Sequence, residues 1–278
     1  MLSGIHVSDA DRLSLKSSFP RLMDVERKYG SLIRGMLVAR RAMARSHNRS
    51  QPELPMFMTL RGGMGQLVDA LADRLDAGAL RTGCQVTSVE RVAGDGPPYR
   101  VHVRDGEALH ADAVILTTPS DVSGRLLGDM DPVLAGELAG IRYVSTAVVS
   151  LGYRPQPGLS PWNGFGCIIP KSEKRRITAC TWTSVKFNYR APEDHQLLRC
   201  FVGGPGREEM VDLDDEELLR VVRDELADIM GLQAAPDLVG ITRWRKANPQ
   251  YDLNHLDRVE GMRARAGTHP GLFLAGCS

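Results

Sequence analysis

The chain has 278 residues, 42% hydrophobic and 25% charged, with a formal net charge of +1. That length holds one large domain or two closely packed ones, and the balanced charge argues against nucleic acid as a partner. Five widely spaced cysteines without a CxxC pair, and seven scattered histidines, predict neither a disulfide framework nor a metal centre; a reducing, cytoplasmic compartment fits them better.

In chain order, residues 11–49 read as helical with a break at Gly30. The second part sets Leu32, Ile33, Met36, Leu37 and Met43 among Arg34, Arg40, Arg41 and Arg45, with no acidic residue between Glu26 and Glu53. Such a basic helix suits an anionic bilayer, an acidic ligand, or plain solvent. Nothing at the start resembles a signal peptide, and no apolar run is long enough to predict a transmembrane helix. Residues 51–55 form a linker, 56–60 a short strand, and 65–76 a helix. Residues 84–92 and 99–105 alternate around a Gly/Pro turn and predict a hairpin. The run "ADAVILTTP" (111–119) predicts a strand buried on both faces. A short helix over 120–127 follows, then strands over 143–154, 164–170, 176–184 and 196–204 of an antiparallel sheet. The clearest helix has Asp212 or Asp214 as its cap and Gly231 as its end. Its buried stripe is predicted as Leu218, Leu219, Val222, Leu226 and Ile229. A strand over 239–251 and a final buried strand, "GLFLAGCS", complete the chain.

Gly62, Gly63 and Gly65 precede a helix and raise the question of a phosphate-binding turn. A dinucleotide fingerprint needs a central strand, GxGxxG spacing and an acidic residue about 20 positions on. Gly63-Met64-Gly65 supplies GxG and Glu90 stands at a suitable distance, but position 68 is Val and the preceding segment is a poor strand. On these residues alone, a phosphate turn and an ordinary helix start both stay open.

The segment "SGIHVSDADRLSLKSSFPRLMDVERKYGSLIRGM" resembles the middle of protoporphyrinogen oxidases, FAD-dependent members of the amine-oxidase-like superfamily. The likeness continues, in order, through "FMTLRGGMGQLVDALADRL", "ADAVILTTPS", "GFGCIIP", "TWTSVKFNYRAP", "RCFVGG", "WRKANPQY" and "PGLFLAG". One departure is "HVSDAD", where the family has an aromatic-Ala-Gly-Asp string. The resemblance implies a mixed α/β flavoprotein fold with an antiparallel substrate sheet. It divides the chain into a helical, membrane-facing region (1–50), a substrate-domain segment (51–78), part of an FAD domain (79–121), a substrate domain (122–269) and the start of a C-terminal FAD segment (270–278). It also implies that the glycines at 62–65 are not the pyrophosphate turn, which lies before the family position matching Met1. The expectation is a fragment without the N-terminal GxGxxG and C-terminal FAD segments, binding FAD poorly or not at all by itself.

The implied reaction is oxidation of protoporphyrinogen IX or coproporphyrinogen III, with FAD as cofactor and molecular oxygen as acceptor. No nucleophile or triad is needed, and no catalytic residue is assigned. By the same resemblance, Phe187 stacks on the tetrapyrrole and Ile168 walls its pocket. Val86 offers its backbone to the adenine edge, Trp244 lies near the isoalloxazine, and Thr118 and Pro119 pass close to the cofactor. Lys186, Arg190, Arg175 and Arg176 are candidate partners for substrate carboxylates. The pocket is expected as a wide apolar slot. Peripheral contact with the inner face of the cell membrane and a homodimer are both compatible with this reading. Two rivals stand beside it: another flavin oxidoreductase of the superfamily, and a catalytically silent fragment. An amine oxidase would need an aromatic cage, and aromatic residues make up only 5% of the chain.

Overall fold

The computed structural model describes residues 7–46, 57–154, 162 and 164–276. The N-terminal basic region folds as three helices, α1 (Leu15–Ser18), α2 (Pro20–Tyr29) and α3 (Leu32–Ser46). Pro20 sets the extra break, since its ring is tolerated in the first turn of a helix and not in its interior. Gly30, in the left-handed region at φ 69°, closes α2 with its N–H on the Glu26 carbonyl. On α3, Ile33 is 73% and Met36 63% exposed, whereas Gly35 is buried against Val25 and Tyr29 of α2.

The predicted linker at 51–55 lies outside the described residues. Residues 57–60 are not the expected strand. Side chains pin them instead: Tyr189 Oη donates to the Thr59 carbonyl (2.9 Å) and Arg190 to the Leu60 carbonyl (2.9 Å). Helix α4 (Gly65–Ala72) is shorter than predicted, and its apolar residues Leu67, Val68 and Leu71 are exposed.

The remaining elements are β1 (Val86–Arg91), β2 (Tyr99–Val103), β3 (Leu109–Ala111), β4 (Val114–Leu116), α5 (Ser120–Leu127), α6 (Pro132–Ala139), β5 (Tyr143–Tyr153), β6 (Gly166–Ile168), β7 (Ile177–Trp182), α7 (Thr183–Lys186), β8 (Gln196–Gly203), α8 (Asp215–Met230), β9 (Leu238–Pro249), α9 (His255–Ala266) and β10 (Leu272–Leu274). Strands β1-β2-β3 form one antiparallel sheet. Strands β10 and β4 pair in parallel. Strands β6-β7-β8-β5-β9 form a five-stranded antiparallel sheet.

Two cores result. In the first, Leu218, Val222 and Leu226 of α8 meet Ala147, Val149, Leu151, Cys200 and Val202 of the five-stranded sheet. In the second, Val89 and Tyr99 meet Leu127, Leu134, Leu138, Met262 and Leu272, drawn from α5, α6, α9 and β10. The stripe of α8 differs from the prediction. Ile229 is exposed, and Val221 and Glu225 are buried. Glu225 is accommodated because its carboxylate accepts from both the N–H and Nε of Arg176 (3.1 Å each). The predicted double burial of 111–119 is not found either. Ile115 is 64% exposed, because the second core covers one face of the parallel pair.

At the start of α8, Asp214 Oδ1 accepts from the Glu217 N–H at 2.8 Å, and Gly231 closes the helix in the left-handed conformation. Asp214→Ala should cost about 1 kcal/mol, read as a lower urea midpoint at unchanged slope. An unaltered midpoint would show that the cap is not a stabilising contact.

Candidate functional site

Side chains alternate across a sheet, so β5 sends Ala147, Val149 and Leu151 to α8 and Thr146, Val148 and Ser150 to the opposite face. Cross-strand register orders that second face into rows. One row runs Ile168, Ala179, Phe201, Val148, Thr242, one residue from each of the five strands. At about 4.8 Å per strand it spans roughly 19 Å. The next row toward the carboxyl end of β5 carries Gly166, Thr181, Arg199, Ser150 and Gly240. In the other direction, Trp244 stands opposite Thr146. Ile168, Arg199, Thr242 and Trp244 are exposed, Phe201, Ala179, Thr181 and Ser150 are half-buried, and Val148 and Thr146 on the central strand are buried between their neighbours. Among the described residues the expected wide apolar slot takes the form of a face open along its edges. It bears a hollow of about 470 Å³ bordered by Phe165, Gly166, Ile168, Ala179 and Thr181.

Two ends of this face differ in character. At one end, α7 delivers Phe187, whose ring lies 6.2 Å from that of Tyr189. Lys186 Nζ sits 3.8 Å over the Phe57 ring, and Phe57 meets Phe165 edge-on at 5.1 Å. The glycine turn at 62–65 belongs to this end. Gly63, at φ 88°, lies beside the Arg190 guanidinium, and the segment before it is not a strand. It is thus a helix start at the border of the face and lacks the strand that a dinucleotide fingerprint requires.

At the other end, the carboxyl ends of the parallel strands β4 and β10 approach the start of β5. The Ser120 N–H donates to Tyr143 Oη (3.0 Å), and Tyr143 opens β5 three residues before Thr146. Thr118 and Pro119 sit in this junction. The Thr118 hydroxyl is hydrogen-bonded to Ser123 (2.8 Å), and Pro119 precedes the first turn of α5. The crevice outside the carboxyl ends of parallel strands is where α/β folds receive ligands. Trp244, 52% exposed, stands opposite Thr146, nearer the start of β5 than the row through Val148. Val86 is elsewhere. It lies in β1, an edge strand of the three-stranded sheet, and a bulge separates it from Ser88. An edge strand points alternate N–H and C=O groups away from its sheet, free for an outside partner.

Of the four proposed carboxylate partners, two are corrected. Arg175 pairs with Asp228 (2.9 Å) and Arg176 with Glu225 (3.1 Å), so both are engaged on the α8 side of the sheet. Lys186 and Arg190 remain at the Phe187 end. The chain-order reading missed Arg199 and Phe201. The alternation in "LLRCFVG" was the available signal, since it opposes them to Leu198, Cys200 and Val202. Wide sequence spacing also concealed a row of thiols. Cys167, Cys180 and Cys200 are cross-strand neighbours facing α8, with the last two sulfurs 3.7 Å apart. They are free thiols, and burial pushes Cys167 up from its usual range.

A second missed group holds the turn before β10. Asp131, fully buried, caps α6 through the Leu134 N–H (3.0 Å) and accepts from Arg265 Nε and His269 Nε2 (2.7 Å each). Burial pushes its carboxyl up. The hydrogen bonds from Arg265, Leu134 and His269 outweigh this and hold it well below the usual carboxylate range. Tyr99 Oη donates to the Pro270 carbonyl (2.8 Å) from the other side. Among the described residues no cluster of His, Cys, Asp or Glu is placed to hold a metal, and no helix is long and apolar enough to cross a membrane.

A parallel pair that ends beside an antiparallel sheet with one exposed face defines a mixed α/β fold. The family model for flavin-containing amine oxidoreductases matches residues 1–278, and the chain belongs to that family. The chain is 33% identical over 279 residues to coproporphyrinogen III oxidase of Bacillus subtilis (strain 168), covering 100% of this chain and 58% of that protein. It is 27% identical over 293 residues to protoporphyrinogen oxidase 2 of Arabidopsis thaliana, covering 99% of this chain and 58% of that protein. A crystal structure from Exiguobacterium sp. 255-15, provisionally named protoporphyrinogen oxidase, superposes with a TM-score of 0.81 at 33% identity, over 99% of this chain and 56% of that one. The chain thus spans rather more than half the length of these relatives.

Proposed function

We propose that the chain takes part in the FAD-dependent oxidation of a porphyrinogen, coproporphyrinogen III or protoporphyrinogen IX, to the porphyrin with oxygen as acceptor. The observation that carries this reading is the bare face of the five-stranded sheet. Its row from Ile168 to Val148 is apolar and spans roughly 14 Å, the scale of a tetrapyrrole, with an aromatic cluster at one end of the face and the β4/β10 junction at the other. Residues 122–269 serve as the substrate-binding part. Ile168 and Phe201 form the floor for the ring, and Phe187 stacks at its edge.

The residues present suit the flavin in part. The free edge of β1 at Val86 suits the Watson–Crick edge of an adenine, and Thr118 and Pro119 at the end of β4, with the exposed Trp244 on β9, suit a flat ring system. Among the described residues there is no strand–glycine–helix turn for the pyrophosphate. When bound, FAD supplies the hydride-accepting chemistry. The chain's own part is to hold the tetrapyrrole flat, present one edge toward Trp244, and keep water from that contact.

Titration with coproporphyrin III and protoporphyrin IX, followed by the Soret band, tests this. Saturable binding is expected. Phe187→Ala should weaken it about tenfold, the equivalent of about 1.4 kcal/mol for a lost ring contact. A Soret band that does not respond to the protein would remove the proposal.

A further inference from the structure

Arg199 stands in the middle of the bare face. Its cross-strand neighbours are Thr181 on β7 and Ser150 on β5, so a guanidinium and two hydroxyls share one row at about 5 Å spacing. The adjacent row of Ile168, Ala179, Phe201 and Val148 is apolar, and the Arg199 guanidinium lies 5.8 Å from the Phe201 ring centroid.

Other arginines around the sheet are compensated. Arg243 bonds Asp215 and the carbonyls of Val211 and Leu213, Arg245 bonds Asp212, and Arg142 bonds Asp252. Among the described residues no carboxylate pairs with Arg199, and the rows of this face carry no Asp or Glu.

An uncompensated guanidinium between two hydroxyls, beside an apolar floor, matches a flat apolar ligand that bears a carboxylate. The planar fork takes both carboxylate oxygens, the hydroxyls donate from either side, and the ring covers the floor. We infer that Arg199, flanked by Thr181 and Ser150, binds a carboxylate arm of the tetrapyrrole; for a ring with carboxylates on one edge only, this fixes which edge is turned toward Trp244. Ser150 and Thr146 are four residues apart on β5, about 14 Å. An arm held at Arg199 therefore points the far side of the macrocycle toward Trp244, which faces Thr146. Coproporphyrinogen III has a carboxylate on every ring and can offer one in any orientation. Protoporphyrinogen IX has two on one edge and can offer only that edge. This inference rests on the porphyrinogen reading above.

The test compares coproporphyrin III with its tetramethyl ester in the same mixed solvent, using wild type, Arg199→Ala and Arg199→Lys. Wild type should bind the acid at least tenfold more tightly than the ester. Arg199→Ala should lose about tenfold for the acid, leave the ester unchanged and keep the thermal midpoint. Arg199→Lys should recover part of the loss, and added salt should weaken acid binding more in wild type than in Arg199→Ala. Equal losses for acid and ester, or no loss for either, would overturn the assignment of Arg199 while leaving the porphyrin site standing. A wild-type protein that binds neither porphyrin would remove the underlying reading, and this inference with it.

Discussion

Asp131→Ala should lower the stability of the protein by about 3 kcal/mol, a large share of the 5–15 kcal/mol that holds a typical domain together. Three groups depend on this one buried carboxylate: the Leu134 N–H at the start of α6, Arg265 on α9 and His269 in the turn before β10. Loss of the cap alone costs about 1 kcal/mol. Removing one member of a buried charged group costs about 3–5 kcal/mol, because the partners stay behind unpaired. The lower figure applies here. The Arg265 side chain is 47% exposed and can turn to water, whereas that of His269 is only 16% exposed and cannot. Urea denaturation at neutral pH measures the effect as a shift in midpoint, and a loss below 1 kcal/mol would mean that the group is not a stabilising one. The pH dependence has a definite sign. The folded carboxyl lies below its unfolded value, so its contribution is complete above the ordinary carboxylate pKa of about 4 and is lost as pH falls toward the folded value. The gap between wild type and variant should be level from about pH 5 upward and narrow on acidification below about pH 4.

The part of the fold written in local pattern was legible. Strand β8 alternates from Leu198 to Val202, and Asp214 and Gly231 punctuate α8 where the capping rules place them. What failed was written in long-range partners. The run 111–119 looks buried on both faces, but burial depends on what covers a strand, and β4 has one covered face. Helices α6 and α9 escape a reading of the sequence although Asp131 followed by Pro132 is a sound start signal; the eight residues of α6, with Gly136 among them, show little periodicity. At the site, the arginines illustrate the limit best. Arg176 and Arg199 look alike in sequence. Only the packing of α8 reveals that Glu225 neutralises the first, and only cross-strand register sets the second among donors on an open face. Phe187, Ile168, Trp244, Val86, Thr118 and Pro119 were selected by resemblance to a family. Their spread over two sheets and two loops has no local signature from which it could have been read.

Gly166→Ala should lower stability by about 3 kcal/mol and weaken porphyrin binding in the same protein. Gly166 sits on the edge strand β6 at φ 138°, a conformation that side chains with a Cβ rarely adopt. A Cβ there would overlap the Cys180 carbonyl oxygen and lie 2.9 Å from Thr181 Cα, both backbone atoms of β7. Neither can yield without opening the β6–β7 ladder, in which Gly166 faces Thr181 and Ile168 faces Ala179. Backbone strain contributes about 1–3 kcal/mol, and overpacking a similar amount. The chain relieves both by letting the three residues of β6 peel away, which withdraws Ile168 from the apolar row and opens the hollow beside it. Ile168→Ala separates the two effects. Its side chain is 38% exposed, so truncation removes part of the ring floor at little cost to folding. Ile168→Ala should therefore weaken porphyrin binding with a nearly unchanged thermal midpoint, whereas Gly166→Ala should lower both. A Gly166→Ala protein as stable as wild type would show that β6 is not held against β7 in this register, and the row from Ile168 to Thr242 would lose its first member.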